Sequence, residues 1–336
     1  MGSDRPPFRV ALVGAGGIAR AHLPAWRELG AEVTVFSTAG AEELAASGGA
    51  TAAASLDEAL AGADAVDVCT PTPTHGEVVL AALAAGHTRI VCEKPLGRTA
   101  AEARHTVEAA EAAGAQLYPG HVVRFFPEYA ALHAAVAGGT VGTVAVQRFS
   151  RTGSAPESLW FHDDAQSGGI LLDQMIHDLD QARWTAGEVA TVFARDATTT
   201  GPGGSVVRSA HVLLTHVGGA ISAVTGTWAP PGTPFRTTFE VAGTGGLLRH
   251  DSREHDEVVV TGGEHDAGGR GLLPALGAAS PFRTELAEFL AAFTGGPPPR
   301  VTARDGLAAV VIAEAALESV RTGAPVTLAQ ASEVAR

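Results

Sequence analysis

Residues 8–19 read Phe8-Arg9-Val10-Ala11-Leu12-Val13-Gly14-Ala15-Gly16-Gly17-Ile18-Ala19. The apolar run predicts a buried strand, and the G-x-G-x-x-A pattern after it predicts a tight turn that opens a helix. Glycines in such a turn let the backbone approach a pyrophosphate, and the first N–H groups of the helix stabilise its charge. The stretch therefore predicts a dinucleotide site, with Gly14, Gly16, Gly17, Ile18 and Ala19 at the cofactor.

The sequence that follows alternates short apolar runs with Ala-rich helical segments as far as about Gly120. Strands are predicted at 8–13, 32–36, 65–69, 88–92 and 116–118, with a weaker strand near Ala50 and helices that include 76–85 and 100–113. Such alternation is typical of an α/β fold in which helices cover a doubly wound parallel sheet. Residues 1–122 are therefore predicted to form a dinucleotide-binding Rossmann domain.

The second half of the chain consists mainly of longer β-rich runs. Strands are predicted at 141–151, 190–199, 205–216, 219–228 and 235–242, and helices near 128–137, from Gly168 to about Thr185, and near 281–294 and 303–322. Consecutive strands without intervening helices indicate an antiparallel sheet. Residues 123–336 are predicted to form a second α/β domain, in which the Gly-rich segment 262–280 is a connection.

Composition and charge exclude several classes of function. The chain has 336 residues, which favours two domains, and its net charge of −13 argues against a nucleic-acid or anionic membrane partner. Cys69 and Cys92 lie in apolar runs, so neither a disulfide nor a thiolate metal site is expected. The sequence has neither an apolar signal core nor a membrane-spanning stretch, so we expect a cytoplasmic protein.

Polar residues follow two of the predicted strands where those strands end. Thr70, Pro71, Thr72 and His75 follow the strand predicted at 65–69, and Glu93-Lys94-Pro95 follows the strand predicted at 88–92. The carboxyl ends of parallel strands meet at one edge of a sheet, where ligands bind, so these groups are expected at the cofactor. His75 is expected either to cap the next helix or to lie against the cofactor.

Lys94 ends a run that otherwise predicts a buried strand. Lysine rarely occupies a dry position without a charged or ligand partner, and Pro95 stiffens the chain beside it. An isolated Glu-Lys-Pro sequence would fit a surface salt bridge. At the cofactor edge of the sheet, Lys94 is instead predicted to be functional.

The choice between NAD and NADP depends on the end of the second strand. An NAD site usually carries an Asp or Glu there, which accepts hydrogen bonds from the ribose hydroxyls. This chain has Ser37 and Thr38, which tolerate a 2′-phosphate, but no adjacent Arg to neutralise it. The sequence slightly favours NADP and leaves NAD open.

A second group of candidate residues follows the glycine pair Gly168-Gly169. Asp173 and His177 are four residues apart, so a helix would place them on one face. They could form a helix-stabilising pair, or a metal site with His121, His162, His211 or His216. Those histidines lack the short spacing of strong zinc motifs, and no metal is predicted.

Taken together, these pieces resemble the glucose-fructose oxidoreductase, inositol dehydrogenase and MocA family of NAD(P)-dependent oxidoreductases. The resemblance is carried by Gly14–Ala19, Thr70-Pro71 with His75, Glu93-Lys94-Pro95, and Gly168-Gly169 with Asp173 and His177. It implies a Rossmann domain followed by an α/β domain with a large open, mostly antiparallel sheet. That sheet often forms homodimer or homotetramer contacts.

The resemblance also implies an activity and the roles of individual residues. Lys94 would orient the reacting hydroxyl, Asp173 would hold a neighbouring hydroxyl and the lysine, and His177 would be the general base. Arg124 is either a pocket contact or part of a structural salt bridge, and Trp160 either stacks on a sugar ring or packs internally. The expected reaction is hydride transfer between nicotinamide and a hydroxyl or keto carbon of a sugar, an inositol or a related polyol. An NAD-dependent glycosidase and a non-catalytic dinucleotide sensor remain alternatives.

Overall fold

The computed structural model of the protein describes residues 6–157, 159–201, 206–253 and 280–328. The connection predicted at 262–280 lies outside these residues, apart from Ser280. Two compact units make up the chain, the first formed by Met1–Phe126 and Pro274–Leu307 and the second by Pro127–Leu273 and Ala308–Arg336. None of the described helices is both long and apolar enough to cross a bilayer.

The first unit contains a six-stranded sheet in the order β3-β2-β1-β4-β5-β6, in which all pairs are parallel. The strands are β1 (Arg9–Val13), β2 (Glu32–Phe36), β3 (Thr51–Ala52), β4 (Ala65–Val68), β5 (Arg89–Glu93) and β6 (Gln116–Gly120). The predicted doubly wound parallel sheet is confirmed. Four residues of β1 and all of β4 are buried, as expected for strands covered on both faces.

Helices connect these strands and cover the sheet. They are α1 (Ala19–Glu28), α2 (Ala41–Gly48), α3 (Leu56–Leu60), α4 (His75–Ala84), α5 (Ala100–Ala112) and, from much later in the chain, α10 (Pro281–Phe293). The α10 helix groups with this unit because Phe289 and Phe293 stack on Tyr118 of β6, with ring centroids 5.2 and 5.1 Å away. The single domain boundary predicted after residue 122 assigns α10 to the second domain and so does not account for this return of the chain.

The second unit contains a seven-stranded sheet in the order β12-β11-β7-β10-β9-β8-β13. The strands are β7 (Val144–Ser154), β8 (Val189–Thr200), β9 (Val206–His216), β10 (Ile221–Ala229), β11 (Arg236–Gly243), β12 (Gly246–Asp251) and β13 (Val326–Thr327). Within this sheet, the β7–β10 pair is the only parallel one among the described strands. The mostly antiparallel sheet expected for the second domain is confirmed.

The helices of the second unit correct one prediction. They are α6 (Pro127–Ala137), α7 (Asp164–Ser167), α8 (Gly169–Asp173) and α9 (Ile176–Ala186); α11 (Ala303–Thr322) is divided between the units after Leu307. The single helix predicted from Gly168 to about Thr185 was wrong, because the chain breaks at Gln174-Met175. The Met175 N–H bonds the carbonyl of Ile170, five residues back, and Met175 packs where a side chain on Gly226 of β10 would overlap it.

Candidate active site

Gly14 shapes the turn after β1. Its φ of +116° is unfavourable for other residues, and a Cβ there would overlap the carbonyl oxygen of Cys69 at the end of β4. Its N–H donates to the Phe36 carbonyl at the end of β2, at 2.7 Å. The turn therefore draws the ends of β1, β2 and β4 together, as a dinucleotide site requires.

Gly16 and Gly17 leave open space above the turn. No atom of the described residues lies within 4 Å of the position that a Cβ on either glycine would take. Ile18 precedes α1 and offers no side-chain cap, so the first N–H groups of the helix are not used by a capping side chain. Ala19, the first helical residue, is buried. These features fit the binding of a pyrophosphate.

Ser37 and Thr38 follow β2 as predicted. Ser37 is half-exposed and its Oγ accepts from the Ala39 N–H at 3.5 Å, while Thr38 is exposed. No carboxylate lies between Phe36 and Gly40. The end of β2 thus offers hydroxyl groups to a ribose.

His75 links the two loops that follow β4 and β5. It is buried, and its ring nitrogens lie 2.7 Å from the carbonyl oxygens of Thr70 and Pro95. Burial lowers the pKa of His75, although both carbonyls act in the opposite direction. A neutral ring has one N–H and donates to one of the two carbonyls, but both contacts place His75 between the loops, which leaves its carbon edge for a cofactor.

The loop after β4 supplies further groups at the same edge of the sheet. Thr70 has a buried hydroxyl without a hydrogen-bond partner among the described residues. Pro71 is exposed, and the buried Thr72 begins a short 3-10 turn, Thr72–Thr74. A buried hydroxyl beside an open glycine turn fits a cofactor contact.

Lys94 directly follows β5, and the Lys94-Pro95 bond is cis. Lys94 is partly exposed, whereas Glu93 is buried. One carboxylate oxygen of Glu93 accepts from the Lys94 N–H at 3.2 Å, and the other lies 3.2 Å from Nε2 of His22. Glu93 therefore fixes the backbone from which the Lys94 side chain extends.

Asp173 and His177 flank the helix break in the second unit. Asp173 ends α8 and is partly exposed, whereas His177 lies in the first turn of α9 and is buried. Because the helix is interrupted between them, the two residues do not belong to the single continuous helix that was predicted. The break instead assigns each residue to its own helix.

An ion pair stabilises the start of α9. Arg151 of β7 donates to both carboxylate oxygens of Asp178, at 2.8 and 3.0 Å, and both residues are buried. Burial is the largest single influence and lowers the pKa of Arg151, but the charge and hydrogen bonds of Asp178, together with the nearby Tyr129 and Glu128, raise that pKa overall. Gln174 also donates to the Arg151 carbonyl at 3.3 Å. These contacts tie the break, and with it His177, to the sheet.

Two residues predicted to bind substrate have different surroundings. Arg124 is buried, donates to the Arg300 carbonyl at 2.7 Å and lies 3.4 Å from the Asp305 carboxylate. These partners favour the structural salt bridge of the two alternatives for Arg124. Trp160 is partly exposed and packs on Phe161, with ring centroids 3.8 Å apart.

Three of the four histidines considered as metal ligands contact other polar groups. His162 contacts the Pro156 carbonyl, His211 contacts the Thr225 hydroxyl, and His216 contacts Ser222 and the Gly187 carbonyl. Among the described residues, the groups spaced to hold a metal ion contain neither Asp173 nor His177.

Sequence reasoning missed a buried polar cluster behind Glu93, formed by His22, Asp67 and Glu285. One signal was available: Asp67 interrupts the apolar run Ala65–Val68. A carboxylate in the middle of a buried strand requires partners. Nothing in the local sequence, however, links it to Glu285.

Comparison with known proteins identifies the class of protein. Residues 8–121 match the family described as "Oxidoreductase family, NAD-binding Rossmann fold", and residues 129–249 match the GFO/IDH/MocA C-terminal domain. The chain is therefore an oxidoreductase with an NAD-binding Rossmann domain. It belongs to the GFO/IDH/MocA family, which confirms the resemblance found in its motifs.

Individual relatives cover most of the chain. It is 34% identical to the myo-inositol 2-dehydrogenase of Thermotoga maritima over 262 residues, 76% of this chain and 77% of the relative. It is 32% identical to the rhizopine catabolism protein MocA of Rhizobium meliloti, with 93% and 94% of the chains covered. The structure of GenD2 from gentamicin A biosynthesis, in complex with NAD, matches with a TM-score of 0.84 and 27% identity over 96% of this chain and 97% of that one.

Proposed function

We propose that this oxidoreductase transfers a hydride between nicotinamide and a hydroxyl-bearing or keto carbon of a sugar, an inositol or a related polyol. The relative from Thermotoga maritima is named for myo-inositol, which supports this substrate class. The observation that carries the proposal is the identity of residue 94: of the 23 lysine and arginine residues in the chain, Lys94 is the only lysine.

Arginine fills every other cationic position, including the buried Arg124 and Arg151. A guanidinium is a planar fork that stays charged, whereas an ammonium is a compact point charge that can face one oxygen and release a proton. A role that requires an ammonium group accounts for lysine, rather than arginine, at position 94. This supports a chemical role for Lys94 over a surface salt bridge.

The three candidate residues divide the work around the substrate oxygen. When bound, the nicotinamide accepts or supplies the hydride. We assign to His177 the transfer of the hydroxyl proton, because an imidazole titrates near neutrality. The Lys94 ammonium would stabilise negative charge developing on that oxygen, and Asp173 would accept a hydrogen bond from a neighbouring hydroxyl.

The test begins with a panel of inositols, aldoses and keto-sugars, screened for reduction of NAD and NADP. On the best substrate, Lys94→Arg and His177→Ala should each lower kcat by about 100-fold or more, with unchanged circular dichroism. Arg104→Lys and His105→Ala, both on α5, are the matched controls and should keep turnover. Near-normal kcat in both site variants would refute the assignment.

The cofactor preference is a further part of the proposal. An NAD-binding domain is established by the family, and we propose that the site also accepts NADP with a slight preference. The hydroxyl groups of Ser37 and Thr38, without a nearby carboxylate, support this.

We also propose that copies of the chain associate through the open face of the second unit's sheet as a homodimer or homotetramer. The strand register places Leu213 and Ile221 on the same face of adjacent strands, with 44% and 43% of their surface exposed. Exposed apolar side chains grouped on one face favour association.

A cytoplasmic location is the remaining part of the proposal. Both cysteines are free and buried, which suits a reducing compartment. A nicotinamide cofactor, supplied from inside the cell, supports the same location.

A further inference from the structure

Four ionisable side chains meet in the interior of the first unit, behind the end of β5. His22 comes from α1, Asp67 from β4, Glu93 from β5 and Glu285 from α10. At most 5% of the surface of any of them is exposed. Three carboxyl groups and one imidazole in so dry a site require a definite arrangement of protons.

Asp67 and His22 form a charged pair. The Asp67 carboxylate accepts from Nε1 of Trp26 at 2.7 Å and lies 2.9 Å from Nδ1 of His22. Burial is the largest single influence and lowers the pKa of His22, but the charges of Asp67 and Cys69 and their hydrogen bonds together raise that pKa well above its usual value. The raised pKa favours the imidazolium form of His22, and its Nε2 lies 3.2 Å from a carboxylate oxygen of Glu93 without meeting hydrogen-bond geometry.

Glu285 is the unbalanced member of the cluster. Neither of its carboxyl oxygens has a hydrogen-bond partner among the described residues, and none of its surface is exposed. Ligand atoms of His22, Glu93 and Glu285 all lie within 4.8 Å of one another. If Glu93 and Glu285 were both ionised, the single imidazolium, already paired with Asp67, would face two further buried negative charges.

We propose that Glu285 is a neutral carboxylic acid whose O–H donates a hydrogen bond to Glu93, directly or through one water molecule, and that this pair positions Lys94. Glu93 transmits the effect because its other oxygen accepts from the Lys94 N–H. The backbone of Gly120 in β6 packs directly against Glu93, since a Cβ there would overlap the Glu93 carboxylate. Burial, followed by the charge of Glu93, raises the pKa of Glu285, which supports the protonated form.

The charged surroundings of Glu285 are shared among several elements. His22 faces it from α1, Asp67 from β4 and Glu93 from β5, and Glu288 lies one turn further along α10. Glu288 is a further carboxylate whose charge also raises the pKa of Glu285, and it is itself paired with Arg300 at 2.8 Å. His22 is thus the only cation among these neighbours.

Infrared spectroscopy of the full-length protein at pH 8 tests the protonation directly. The wild type should show the carbonyl band of one protonated carboxyl group, and Glu285→Gln should remove it. Glu108→Gln, which changes an exposed carboxylate on α5, should leave the band in place. Absence of the band in the wild type would overturn the proposal. So would a stoichiometric metal ion that Glu285→Gln loses, because a cation would then join the carboxylates.

Kinetics test the positioning role, which rests on the proposed function of Lys94. Glutamine keeps an N–H donor for Glu93, so Glu285→Gln should stay within about threefold of wild-type kcat. Glu285→Leu removes the donor and should lower kcat about tenfold or more, with little change in the KM for the sugar or polyol. Equal kcat in the two variants would overturn the positioning role.

Normal turnover of Lys94→Arg would refute the role of the lysine and leave the infrared result intact. If Glu285→Leu fails to fold, the glutamine variant and its spectrum decide the question.

Discussion

The carboxyl group of Glu285 gives the stability of the first unit a measurable pH dependence. Its pKa is raised well above 4.5 in the folded protein, so above that pH the unfolded chain loses a proton that the folded chain keeps. The stabilisation is complete below about pH 4.5 and is lost as the pH rises toward the folded pKa. Glutamine does not titrate, so Glu285→Gln should gain stability relative to wild type as the pH rises from 5 to 8, by up to about 1.4 kcal/mol per pH unit.

Urea unfolding of both proteins at several pH values measures this difference. His22 is present in both proteins, so its own titration largely cancels in the comparison. Free energies of unfolding that run parallel across this pH range would show that Glu285 is ionised in the folded state.

The choice between NAD and NADP is a second property that we propose depends on one residue, Ser37. An aspartate at position 37 would accept hydrogen bonds from a ribose and repel a 2′-phosphate. Ser37→Asp should therefore lower the ratio of kcat/KM for NADP to that for NAD by about tenfold or more. Ser37→Ala adds no charge and should change the ratio far less. An unchanged ratio in the aspartate variant would show that this position does not face the ribose.

At the scale of elements, the break between α8 and α9 depends on one close contact. Met175 packs against Gly226, and a Cβ on that glycine would overlap the Met175 side chain. Gly226→Ala should destabilise the protein by about 1–3 kcal/mol and lower kcat, because His177 lies two residues after Met175. Gly218→Ala, where no atom lies within 4 Å of the added carbon, is the control and should be nearly neutral.

Thermal unfolding and steady-state kinetics of the two glycine variants would check this prediction. If Gly226→Ala is as stable as Gly218→Ala, the helix break does not depend on the contact between Met175 and β10.

The same break shows what a local sequence pattern can predict. Most strands of both sheets, though not β12 and β13, and the glycine turn follow from apolar runs and from Gly14, because their causes lie within a few neighbouring residues. The break does not, since Met175 and Gly226 are about fifty residues apart and each is unremarkable alone. The prediction of one continuous helix through Asp173 and His177 failed for this reason.

At the scale of the whole molecule, the return of α10 to the first unit could not be predicted from the sequence. Its apolar face predicts a buried helix but does not specify the sheet that covers it. Phe289 and Phe293 find Tyr118 only in the folded protein. The cluster of His22, Asp67, Glu93 and Glu285 depends on that docking, so it was equally hidden.

The open face of the second sheet leads to a prediction about assembly. Leu213→Asp combined with Ile221→Asp should lower the mass in solution to that of a smaller species, since charges would be buried in the proposed interface. Size-exclusion chromatography with light scattering measures that mass. Val217→Asp, which alters an exposed apolar residue outside the strands, should leave the mass unchanged. A doubly substituted protein of wild-type mass would place the interface elsewhere.

The single lysine also makes the protein chemically addressable. Apart from an α-amino group, Lys94 is the one primary amine of the chain. Reductive methylation with a carbon-13 reagent would therefore introduce a single side-chain NMR signal, at the proposed centre of the chemistry. Its chemical shift would follow cofactor and substrate titrations without any engineered label, and a change in shift with pH would report the charge of the dimethylated amine.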